Sequence, residues 1–150
     1  MSANDIQVAG THYRTEFQHW DLVVATGMGY FEGQVSKYTT RHRKKNGLQD
    51  LEKALHFARK GYELSMTGRI SPRLQPIEAA IVLFDDYAHA NDLNTLESLV
   101  VRRVAQWYAP KDWRDIIQFI QRLITQHYEP VDDMGEHDAE AGPGYVNQDR

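Results

Sequence analysis

The sequence predicts an all-α fold, a bundle of about five helices. Apolar residues recur at intervals of three and four in five stretches, Gly, Pro and Asn clusters divide those stretches, and no alternating strand pattern of comparable length competes.

Asp5 to Phe17 has little period, and its polar and aromatic mix reads as an arm or loop. Trp20 to Ala25 opens an apolar stretch that Thr26, Gly27 and Gly29 interrupt. A first helix is expected over Tyr30 to Lys44, because Phe31, Val35, Tyr38 and His42 fall near helical spacing. Asn46 and Gly47 end it, since both tolerate a left-handed C-cap. Leu48, Leu51, Leu55, Ala58 and Tyr62 mark an amphipathic second helix from about Gln49 to Ser65, with Glu52, Lys53, His56, Arg59 and Lys60 on its polar face.

Thr67, Gly68, Ser71 and Pro72 form the next break, and Arg73 to Pro76 reads as linker. Pro76 in a first turn followed by Ile77 to Ala90 fits a third helix. Asn91 to Asn94 separates it from a fourth, carried by Leu96, Leu99, Val100, Val104 and Trp107 and ending before Pro110. The fifth runs from Trp113 to about His127 with Ile116, Ile117, Phe119, Ile120, Leu123 and Ile124 as an apolar face. That face suits a homo-oligomer contact or the centre of a monomeric bundle.

Sliding the second half back by sixty-five residues lays Phe31-Glu32 over Leu96-Glu97, Val35 over Val100 and Asp50-Leu51 over Asp115-Ile116, without a gap. Both halves then read as helix, turn, helix. Either two repeated hairpins or ordinary hairpin periodicity accounts for the match.

Residues 1–130 are expected to form one helical domain, with a motif-bearing half at 6–64 and a second helical half at 76–128. The segment 131–150, acidic and holding Gly142, Pro143 and Gly144, reads as a flexible tail. The absence of cysteine excludes thiolate zinc sites, disulfides and thiol redox chemistry. No apolar run is long enough to span a membrane, and the first residues lack the pattern of a secretory signal. Seventeen Lys and Arg against twenty-one Asp and Glu give a net charge of -4, which argues against broad nucleic-acid binding but not against a local anion site.

Lys37, Arg41, Arg43, Lys44, Lys45, Lys53, Arg59 and Lys60 crowd one stretch. Lys37, Arg41 and Lys44 or Lys45 share a helix face, and such a cluster repels itself unless carboxylates or a bound anion compensate it. Glu32, Asp50 and Glu52 are the available carboxylates; a phosphate is the alternative. His12, Tyr13, Trp20, Asp21 and Tyr38 lie near in sequence, a composition suited to stacking a base beside its phosphate, although Trp20 and Tyr38 fit equally as core aromatics. Asp21 and Asp50 are candidate magnesium ligands through phosphate oxygens, and Asp50 is equally a first-turn helix acid. Walker, dinucleotide and His-Glu-x-x-His signatures are absent, and a helical pyrophosphohydrolase would need acidic repeats where this chain carries Lys and Arg.

The segments Gln7-Val8-Ala9-Gly10-Thr11-His12-Tyr13, Trp20-Asp21, Phe31-Glu32-Gly33, Ser36-Lys37-Tyr38, Arg41-His42-Arg43-Lys44-Lys45-Asn46-Gly47 and Asp50-Leu51-Glu52-Lys53-Ala54 resemble a family of small tailed-phage proteins described as nucleotide kinases. The resemblance covers about residues 6–64, and Ala9 departs from it where a glycine pair is common. The family includes a deoxynucleoside monophosphate kinase of a T-odd coliphage that acts on dTMP and dGMP without a Walker motif. The resemblance implies phosphoryl transfer from ATP to such a monophosphate with Mg2+, in the cytoplasm of an infected bacterial host. It implies catalytic roles for Lys37, Arg41 and Arg43, which would neutralise the phosphates in a reaction driven by positioning and electrostatics. Substrate contacts would come from His12, Tyr13, Trp20, Tyr38, Lys44, Lys45, Asn46 and Lys53, and metal contacts from Asp21 and Asp50. Two other readings stay open: nucleotide sequestration without turnover, and a protein that binds a host enzyme.

Overall fold

The computed structural model describes residues 16–73 and 76–129. Most of the expected arm, with His12 and Tyr13, and the acidic tail 131–150 lie outside the described residues. Six α-helices and one short 3-10 turn make up the described chain, with no strand among them.

Helix α1, His19–Thr26, was expected only as an apolar stretch. It is real because Asp21 accepts the Gln18 amide at its start and Gly27, at φ 70°, caps its end. With eight residues and only Leu22 and Thr26 buried, it leaves little periodic trace in the sequence. Helix α2, Tyr30–Arg41, stops short of the expected Lys44, because the chain tightens into the 3-10 turn His42–Lys44. Gly47 then takes φ 59° and ψ -130°, open to glycine but not the expected left-handed C-cap, and its amide closes back on the His42 carbonyl at 2.8 Å.

Helix α3 is Leu48–Met66, one residue longer at each end than expected. Helix α4, Ala80–Ala90, starts later than the proposed Ile77 and without Pro76 in its first turn. Ile77 packs against a core cluster instead, and Ala79 at φ 51° turns the chain into the helix. Helix α5, Thr95–Ala105, opens on a reciprocal cap: Asn94 Oδ1 accepts the Glu97 amide and Glu97 Oε1 accepts the Asn94 amide, both at 2.8 Å. Helix α6, Pro110–Tyr128, begins before Trp113 because Pro110 suits a first turn and Asp112 accepts the Tyr108 and Ala109 amides.

Helices α2 and α3 pair as one hairpin and α5 and α6 as another; α3 lies on α6 and α2 on α5, giving a four-helix bundle. Its core draws Val35, Leu51, Ala54 and Ala58 from the first hairpin and Leu96, Val100, Val104, Trp113, Ile116, Ile120 and Leu123 from the second. The apolar face of α6 is therefore spent inside the monomer. A second cluster, Leu22, Phe84, Tyr87, Val101 and Ala105, seats α1 and α4 against α5. Among the described residues no helix is long and apolar enough to cross a membrane.

The offset of sixty-five residues reappears in space. Glu32, in the first turn of α2, accepts the Trp107 indole N–H at 2.7 Å; Glu97, in the first turn of α5, bonds His42 Nε2 at 2.5 Å. Each hairpin thus reaches from a first-turn glutamate to a residue one or two positions past its neighbour's first helix.

Candidate functional site

Two buried carboxylates compensate the arginines of the basic turn. Asp50, fully buried in the first turn of α3, takes Arg41 Nε and Nη2 on its two oxygens, each at 3.0 Å. The Asn46 amide also donates to Asp50 Oδ2 at 3.2 Å, so the Asn-Gly turn is tied to the helix that follows it.

The second carboxylate is Glu97, from the other hairpin. Its Oε2 accepts Arg43 Nε at 2.9 Å and bonds His42 Nε2, while Oε1 accepts Arg43 Nη2 at 2.8 Å and the Asn94 amide. His42 is buried beside it, and its Nδ1 meets the Tyr128 hydroxyl at 2.7 Å. Burial pushes the Glu97 carboxyl up, but the hydrogen bonds from Arg43, His42 and the Asn94 amide outweigh it and hold it at about 2.

His42, Glu97 and His127 place one ligand atom each within 4.8 Å of one another, the donor count of a metal site. The hydrogen bonds decide against that use. A carboxylate offers about four lone-pair sites, and all four on Glu97 are taken. A cation would have to displace Arg43 from a charge it already neutralises. Among the described residues no such triad includes Asp21 or Asp50.

What stays uncompensated is the face around Tyr38. Arg41 lies 4.7 Å, Lys37 Nζ 4.8 Å and Lys53 Nζ 5.4 Å from the centre of its ring. Arg41 is paired with Asp50, but neither Lys37 nor Lys53 has a carboxylate partner among the described residues. The Tyr38 ring lies nearly parallel to Phe57, 10° between planes and 6.1 Å between centres, which holds it against the core. Ring quadrupole attraction offsets part of the repulsion between Lys37 and Lys53, and an anion would offset the rest.

The other expected site residues are dispersed. Lys44 reaches the Asn91 carbonyl at 3.3 Å, Lys45 is exposed, and Trp20 stands half exposed on α1. Asp21 caps α1 and lines a shallow cleft with Glu16, Asp86 and His89. His19, not among the expected site residues, bonds Ser36 Oγ at 2.7 Å, and burial together with the nearby Lys37 lowers it to about 4, leaving it neutral. Glu97 was visible beforehand only as the residue laid over Glu32 by the offset.

Compared with known proteins, the chain matches no family model, no curated protein and no solved structure.

Proposed function

We propose that the chain binds a deoxynucleoside monophosphate, dTMP or dGMP, by its phosphate on the cationic face around Tyr38, and transfers to it the terminal phosphoryl group of ATP with Mg2+. The observation that supports this reading is the convergence of Lys37, Arg41 and Lys53 on one ring with two of the three lacking a carboxylate. In this reading Lys37 and Lys53 meet phosphate oxygens, and Arg41 is held at the edge of the site by Asp50. Arg43 does not touch substrate; it positions the turn through Glu97. Phosphoryl transfer asks a protein mainly for fixed positive charge and alignment.

A second reading, retention of nucleotide without turnover, is favoured by one feature. Both Asp50 oxygens are committed to Arg41 and Asn46, which leaves magnesium without that ligand. The two readings separate in one assay, ATP-dependent conversion of the four deoxynucleoside monophosphates to diphosphates with and without magnesium. Magnesium-dependent product that falls at least about tenfold in Lys37→Ala supports the kinase. A folded protein that binds nucleotide and yields no product supports retention.

A further inference from the structure

We infer that the outer surface where α2 meets α3 holds a base-binding subsite made by Tyr30, Phe57 and Gln34, next to the cations around Tyr38. The inference rests on the phosphate-binding reading above and names the part of the ligand that reading leaves unplaced.

Tyr30, Gln34, Lys37 and Arg41 recur at intervals of four, three and four, so they form one row along an edge of α2 that is exposed at Tyr30 and half-buried beyond it. The row changes chemistry along its length. Its C-terminal end is cationic and meets Lys53 from α3; its N-terminal end is the aromatic ring of Tyr30, which is 63% exposed. Phe57 joins the two ends beneath the row. Its ring centre is 5.8 Å from Tyr30, edge to face at 75°, and it runs parallel to Tyr38 on the other side.

An exposed tyrosine propped edge-on against a half-buried phenylalanine presents a flat apolar surface that water solvates poorly. Between that surface and the lysines lies Gln34, partly buried, whose amide has no hydrogen-bond partner among the described residues. An amide pairs well with the edge of a base, since it offers a donor and an acceptor side by side. Tyr30 and Lys37 are seven residues apart, about 10 Å along a helix axis. With Tyr30 against Phe57 and Lys37 over Tyr38, that span suits a mononucleotide, base at one end and phosphate at the other. A bare phosphate or sugar phosphate would use only the cationic end.

The test is calorimetric titration of the full chain with dTMP, dGMP, 2-deoxyribose 5-phosphate and inorganic phosphate, in wild type, Tyr30→Ala, Tyr30→Phe and Gln34→Ala. Tyr30 is exposed, so its replacement leaves the core intact. Stacking and edge recognition predict that wild type binds at least one of the two nucleotides about tenfold or more tighter than the sugar phosphate. Tyr30→Ala and Gln34→Ala should each erase most of that difference while leaving the sugar phosphate unchanged, and Tyr30→Phe should restore it. Equal binding of nucleotide and sugar phosphate, or nucleotide binding unaltered in Tyr30→Ala, overturns the base subsite and leaves the phosphate site standing. Binding of none of the four ligands overturns both.

Discussion

Glu97 is fully buried, and its two oxygens accept four hydrogen bonds from two arginine nitrogens, an imidazole and a backbone amide. Replacing it with Gln leaves Arg43 and His42 facing an amide, and removing one partner of a buried pair costs about 3–5 kcal/mol. Because the carboxyl sits at about 2 in the fold against 4.5 in the free chain, its stabilisation is complete above pH 4.5 and is lost as the pH falls toward 2. Urea unfolding of wild type and Glu97→Gln should therefore differ widely at neutral pH and converge across that window. His19 titrates in a different range. Its folded value near 4 lies below the free 6.5, so the unfolded chain takes up the proton first and stability declines as pH falls from 6.5 to 4. His19→Gln should remove that slope, read from the urea midpoint against pH. Neither residue could be assigned from sequence, because Glu97 depends on partners up to fifty-five residues away and His19 on burial that only the packed fold creates. Lys37, Tyr38, Arg41 and Lys53 were legible, since helical spacing alone puts the first three on adjoining faces of α2.

At the scale of elements, the long amphipathic helices α3, α5 and α6 were readable because each buries one continuous stripe. The misses fall where a tertiary contact overrides local preference. Ile77 packs against a core cluster and delays α4, and the same cluster takes Leu22 from α1, a helix too short to show its period. Gly61 shows how closely α3 and α6 approach. A Cβ built there would lie 2.4 Å from the Trp113 ring, and that ring is fully buried. Gly61→Ala should gain the helix preference of alanine and lose more to overpacking, a net cost of about 1–3 kcal/mol measurable as a lower denaturation midpoint. Asn94→Ala removes the acceptor that closes the first turn of α5, at a cost of about 1 kcal/mol by the same measurement.

For the molecule as a whole, the two hairpins are bound by more than apolar packing. Glu32 to Trp107 and Glu97 to His42 cross between them in opposite directions, so each hairpin completes the hydrogen bonding of its neighbour. The first hairpin, residues 30–66, is thus not a self-sufficient unit. Expressed alone it should lack a cooperative thermal transition by circular dichroism at 222 nm, whereas the full chain should show one. The crossing of Glu97 to the basic turn also sets a sequence of events in time. Synthesis delivers Lys37, Arg41 and Arg43 long before it delivers Glu97, about two thirds of the way along the chain. Until the second hairpin emerges and docks, Arg43 and His42 have no carboxylate to close on, and loop closure over fifty-five residues must come first. The His42 and Arg43 side of the basic turn therefore closes only after the second hairpin docks, although its residues are among the first to leave the ribosome.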